Sequence, residues 1–247
     1  MMIRTVSTLF AVLSVVAASA ASAATLGVSG QANLFAAGQA AVTDPGTGGG
    51  GVLPPSFALP LGSGRVLSFS SVTGLTDCCS RPVQMNPEGT LNNIFNGQTN
   101  IGAGNGISGI SAPGQMFLVG VFLDASTPAG GAPATLNFLT APGGTGFSSL
   151  SPLLRQMFFI GDGLTGNGTG SAQTFQIPDS ATRLFLGIAD ASIFNFPDHG
   201  FYNDNPGSYT AMFDVSVRSS VIPVPAALPL LLSGLGIFGW MARRRAV

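Results

Sequence analysis

Apolar and polar residues alternate with a period of two near the end of the chain. Ala211, Phe213, Val215 and Val217 fall on one side, and Met212, Asp214, Ser216 and Arg218 fall on the other. That spacing is a strand with one face on a core and one toward water. Residues 64–72 place Leu67 and Phe69 on one side, and residues 172–177 do the same with Phe175 and Ile177. Two runs, 116–123 and 184–189, are apolar without alternation, which predicts central strands buried on both faces. Turn clusters separate them, at Pro128-Ala129-Gly130-Gly131, Pro142-Gly143-Gly144 and Gly161-Asp162-Gly163. No stretch between the two ends carries a capped helical stripe, although residues 150–159 could form one short helix and residues 32–37 can supply an edge strand. The spacing predicts an all-β fold, an antiparallel β-sandwich of roughly eight strands.

Residues 44–55 (DPGTGGGGVLPP) have the composition of a linker. The short stretch before them is too small to bury a core of its own, so they are read as a long loop inside one domain. No internal repeat recurs at a fixed period.

Both ends of the chain change the picture. Arg4 precedes an apolar run over 9–18, and Ala21-Ser22-Ala23 supplies small residues where a signal peptidase cuts. Residues 1–23 therefore read as a secretory signal, with the mature chain from Ala24; an uncleaved N-terminal anchor is the alternative. At the other end, residues 226–242 are uncharged and Arg243, Arg244 and Arg245 follow. This stretch is at the short limit for a membrane-spanning helix, and the arginines fix its end on the cytoplasmic side. The domains expected are thus a signal segment at 1–23, a β-sandwich at 24–220 and a C-terminal signal at 221–247.

The tail begins Ile222-Pro223-Val224-Pro225-Ala226. Together with the apolar run and the arginine cluster, it resembles the PEP-CTERM sorting signal of bacterial envelope proteins, in the variant that opens Val-Pro-x-Pro-Ala. Ile222 stands where that variant has valine. The resemblance implies an exosortase-type membrane protease as partner. Pro223 and Pro225 hold the chain extended and outside the helix, where a protease can reach it. A plain membrane anchor that is never processed shares the same helix and arginines.

Charge narrows the partners. Residues 24–225 carry five arginines and no lysine against nine aspartates and one glutamate, a net charge of −5. Such a surface repels phosphate backbones, which argues against nucleic acid. Low charge with abundant Gly, Pro, Ser, Thr and Asn suits an extracellular β-protein.

Candidate chemistry concentrates in residues 184–209. The apolar run there ends at Asp190, and Gly200-Phe201-Tyr202-Asn203-Asp204-Asn205-Pro206-Gly207 leads into the last strand. Asp190, Asp204 and Asn205 could offer hard oxygens to a calcium ion, and strand-end loops deliver such ligands without strain. The same residues also serve any tight turn, so a role in the turn alone stands beside the metal reading. This arrangement resembles the calcium-dependent galactose-binding lectins of bacteria, in which a strand ends in Asp and a Pro-Gly-x-Tyr-x-Asn-Asn-x-Gly loop precedes the final strand. The resemblance implies a lectin-like, jelly-roll sandwich. It makes Asp190, the Phe201 carbonyl, Asp204 and Asn205 metal ligands, with Gly200, Tyr202 and Gly207 as the turn framework. It further implies that hydroxyls of an extracellular polysaccharide complete the calcium shell. The chain departs from that family in a longer connection from Asp190 to Gly200, in His199 where the family has proline, and in lacking its His and Gln sugar contacts.

Cys78 and Cys79 are the only cysteines and are adjacent. In an oxidising compartment they are expected to form a vicinal disulfide in a turn, with free or intermolecular thiols as the alternative. The run Thr76-Asp77-Cys78-Cys79 is expected beside the metal loop, where the Cys78 carbonyl is a further candidate ligand. His199 is the sole histidine, which argues against zinc. Nucleophile elbows, zincin motifs and phosphate loops are absent, and Asp162 with Asp198 is the one acid pair open to a hydrolase. A non-enzymatic role is expected, with a structural or adhesive envelope protein as the alternative to a lectin.

Overall fold

The computed structural model describes residues 21–43, 46–80, 82, 84–89, 97–191 and 198–217, within a compact unit that runs from Ser19 to Arg218. The body of the signal segment and the whole sorting tail, including Pro223, Pro225, Ala226 and Arg243 to Arg245, lie outside the described residues. Among the described residues no helix is long and apolar enough to cross a membrane.

The chain is all-β. Its period-two segment becomes strand β14, Gly207–Val217, with Tyr209, Ala211, Phe213 and Val215 buried and Ser208, Thr210 and Met212 exposed. One neighbour is β1, Ala21–Ser29, and the other is β3, Arg65–Thr76, both antiparallel. A bulge falls where Met212 pairs with Ser71 and Phe213 with Phe69, leaving Ser70 as the extra residue. Because of it, Phe69 and Val72, three apart in sequence, both point into the core. Beyond β3 lie β12, Thr174–Gln176, and β8, Ser149–Leu150, in the sheet order β1-β14-β3-β12-β8.

The two unalternating runs become β6, Leu118–Leu123, and β13, Arg183–Ile188. They are central in a second sheet, flanked by β2, Ser56–Ala58, and β9, Met157–Phe159, in the order β2-β13-β6-β9. Alternate residues of these strands serve opposite cores. Leu118, Phe122, Leu184, Leu186 and Ile188 join the five-stranded sheet's residues in one cluster, while Val119, Val121, Leu123 and Phe185 join another. The second cluster is closed by β4, Gln98–Ile101, β5, Ile110–Pro113, and β7, Leu136–Asn137, through Ile101, Ile110, Ala112 and neighbouring Phe138. A sheet with core on both faces has no polar side to show, which is why the period of two disappears from its sequence. A small hairpin of β10, Leu164–Gly166, and β11, Thr169–Ala172, completes the fourteen strands of the described residues.

Three expectations are corrected. Residues 32–37 form a 3-10 turn over Leu34–Ala36 instead of an edge strand, since the turn buries three consecutive apolar side chains and the Asn33 side chain caps it by accepting from the Phe35 amide at 2.9 Å. Residues 150–159 form no helix. Arg155 takes a left-handed φ of 63°, and β9 sends Phe158 to one core and Met157 and Phe159 to the other, a period of two. The sheets are also not purely antiparallel, because β12 with β8 and β5 with β7 pair in parallel.

Candidate cation site

Sheet register assembles the site. Asp190 lies just beyond β13, and the left-handed Phe201 (φ 61°) opens a 3-10 turn over Tyr202–Asp204 that feeds Asn205 toward β14. Pairing of Thr76 with Gly207 brings the end of β3 alongside. The Asp77 amide donates to the Pro206 carbonyl at 3.3 Å and the Ser80 amide to the Asp204 carbonyl at 2.8 Å. The expected neighbourhood of residues 76–79 and the metal loop is therefore real.

Asp190 and Asn205 are buried, and the Asn205 amide donates to Asp190 Oδ2 at 2.7 Å and to the Gly30 carbonyl at 3.0 Å. Gly30 is required here, because a Cβ would stand 2.9 Å from the Pro206 carbonyl oxygen. The double donation turns Asn205 Oδ1 away from Gly30. That oxygen and Asp204 Oδ1 are both buried with no donor. Burial pushes the Asp190 carboxyl up to about 8, and the Asp204 charge adds to the rise, while bonds from Asn205 and the Ala191 amide oppose it. Among the described residues the Phe201 carbonyl accepts a long 3.4 Å bond from the Asp204 amide, and its second lone pair has capacity for another partner.

The chemistry of this set is that of acceptors in excess: two carboxylates, one amide oxygen and one carbonyl. Buried acceptors without donors carry a desolvation cost that a cation removes. Among the described residues no three His, Cys, Asp or Glu side chains converge as a metal group. A cation here depends on neutral oxygens as well as carboxylates, which fits the hard, oxygen-rich shell of calcium.

Cys78, buried, and Cys79, exposed at φ 65°, were expected to pair and stand here as separate thiols. Burial pushes the Cys78 thiol up, its hydrogen bond with Cys79 and the Cys79 charge push it further, and the charges of Asp190 and Asp77 add to the rise. His199 stacks on Phe35 with ring centroids 3.9 Å apart. Asp162 accepts from the Leu164 and Gly168 amides, as a turn residue does. Asp198 is exposed.

Two features were missed in the sequence. The glycine run is the bed of the loop over residues 199–203: Thr47 donates to the His199 carbonyl, Phe201 to the Thr47 carbonyl, Tyr202 to the Gly49 carbonyl, and the Gly51 amide to Asn203 Oδ1. Its signal was four glycines in a row, which permit close approach but do not name what approaches. The second is a carboxyl pair, in which Glu88 hydrogen-bonds Asp162 and its Oε1 accepts from the Asp162 amide at 2.9 Å. The two are 74 positions apart in sequence, so nothing local marks them.

Neither a family model, nor a curated protein, nor a solved structure matches the chain.

Proposed function

We propose that this chain is an exported bacterial surface or extracellular-matrix protein whose lectin-like β-sandwich holds calcium and, through it, binds carbohydrate. The observation that carries the reading is the pair of buried, donorless oxygens, Asp204 Oδ1 and Asn205 Oδ1, beside buried Asp190. Asp190, Asp204, Asn205 and the Phe201 carbonyl would hold the ion. When bound, calcium would neutralise the two carboxylates and offer coordination positions to sugar hydroxyls. The chain's own residues fix the loop: Asn205 braces Asp190, Gly30 admits Asn205, and residues 46–51 support Phe201 to Asn203. The tail's resemblance to a PEP-CTERM signal supports sorting by an exosortase-type protease, with the apolar run over 226–242 as a transient membrane anchor. The lack of lysine and the net acidity argue against nucleic acid.

Deep burial of Asp190 and Asn205 favours a second reading, in which calcium only braces an adhesive or structural envelope protein. Melting temperature with calcium and with a chelator tests the ion, and a glycan array under the same two conditions tests the sugar. Saturating calcium at a hundred times its Kd should stabilise the fold by about 2.7 kcal/mol. Asp190→Asn keeps an acceptor for Asn205, so the variant should fold without calcium yet lose most of the calcium-dependent rise. An identical melting curve with and without chelator sinks the metal reading. A calcium-dependent melt with a silent array leaves the structural role.

A further inference from the structure

The five-stranded sheet ends on one side in β1 and on the other in β8. These edges differ in kind. β8 is two residues long, and the outer strands of the four-stranded sheet, β2 and β9, have three each, with Pro55 immediately before β2 and Pro60 shortly after it. Short and proline-flanked edges are the usual protection against pairing with another chain. β1 has none of it. Its nine residues, ASAATLGVS, include no charge and no proline, and the pairing with β14 shows no bulge.

Pairing polarity along β1 follows from one bond. The Gly30 amide donates to the Gly207 carbonyl at 3.0 Å, so by antiparallel alternation Val28, Leu26 and Ala24 face β14, and Thr25, Gly27 and Ser29 turn their backbone groups outward. Ser29 agrees, because its carbonyl accepts from the Ala32 amide instead of from β14. Among the described residues, no backbone bond outside β14 reaches residues 24–28. The inner face is also incompletely covered: Val28 is buried, but Leu26 and Ala24 are only half-buried at the margin of the core.

We propose that β1 is a self-association edge, pairing antiparallel with β1 of a second copy of this chain across a two-fold axis. A second copy fits for three reasons. An uncharged strand meets itself with no like charges opposed across the new ladder. A two-fold contact uses the same patch on both copies and closes at a dimer, and the two-residue β8 offers no edge to extend it. Continuing the sheet also brings side chains over Leu26 and Ala24. Residues 24–29 suffice for the pairing, so removal of residues 1–23 leaves it intact.

The test uses the full chain in a non-ionic detergent. Light scattering should give a dimer, and hydrogen exchange should show slow amides at Thr25 and Gly27. Thr25 is exposed and a Cβ on Gly27 meets nothing within 4 Å, so Thr25→Lys with Gly27→Lys places charge on the edge without a clash. Two like-charged positions per copy should weaken dimerisation about tenfold and free both amides, while β3 and β14 amides stay protected. The control Thr25→Ser should remain dimeric. A monomeric wild type, a dimer unaffected by the lysines, or fast exchange at Thr25 and Gly27 in the dimer each overturns the proposal.

Discussion

Two polar side chains withdrawn from solvent, Arg65 fully and Glu88 in part, reach opposite outcomes. Arg65 is buried, yet its guanidinium donates to the carbonyls of Pro60, Pro178, Asp179 and Ala181 at 2.7–2.9 Å, and it clamps two loops. Glu88 instead meets another acid. Burial, with the Asp162 charge and hydrogen bond adding, pushes its carboxyl up to about 7, although the Asp162 amide opposes the rise. The native state therefore holds a proton that the unfolded chain, with a glutamate near 4.3, releases. Stability from this group is complete below about pH 4 and is lost as pH rises through about 7. Glu88→Gln keeps an acceptor for the Asp162 amide and removes the charge. Between pH 5 and 8 the wild type should lose roughly 2–3 kcal/mol relative to the variant, as measured by urea unfolding at several pH values. Parallel pH curves for the two proteins would show that Glu88 does not titrate in this window.

At the scale of elements, legibility followed periodicity. β14, β3, β6 and β13 were readable because their side chains repeat or fill in a way that burial dictates. The turn at Leu34–Ala36 and strand β9 were not, since three buried apolar residues in a row look alike in either form. The candidate site was half legible: Asp190 and residues 201–205 stood out by type, and the Gly30 and glycine-run supports did not. Those supports lend themselves to a substitution. Gly51 has φ 66°, and a Cβ there would lie 2.2 Å from the Gln31 carbonyl oxygen and 2.5 Å from Tyr202 Cβ. Gly130 has φ 70° with nothing within 4 Å. Gly130→Ala should cost about 1 kcal/mol from left-handed strain alone. Gly51→Ala should cost roughly 2–4 kcal/mol, because backbone must also shift, and it should reduce the rise in melting temperature with calcium that the proposed site predicts, by moving the turn that carries Asp204. Equal costs in denaturant melts would mean that residues 46–51 do not press on the turn over Tyr202–Asp204.

At the scale of the molecule, strand order was beyond the sequence, because β1 and β14, or β2 and β13, meet across most of the chain and no local pattern records the partner. The third sheet was missed for the same reason. Its residues close a second core against the far face of β6 and β13, so the central sheet is shared by both. A shared sheet makes the two cores one cooperative unit, since neither can open without exposing one face of β6 and β13. Phe122 packs on Phe158 at 4.9 Å between centroids in the first core, and Phe159 on Phe117 at 5.0 Å in the second. Phe122→Ala and Phe159→Ala should each remove about 3–5 kcal/mol from a single denaturant transition with unchanged slope. If the third sheet were instead an independent appendage, Phe159→Ala would split the transition in two and leave the later step at the wild-type midpoint. Tryptophan fluorescence cannot report this directly, because the only tryptophan, Trp240, lies in the tail. Far-ultraviolet circular dichroism together with hydrogen exchange at β5 and β14 separates the outcomes: simultaneous loss of protection at both strands marks one unit, and early loss at β5 alone marks two.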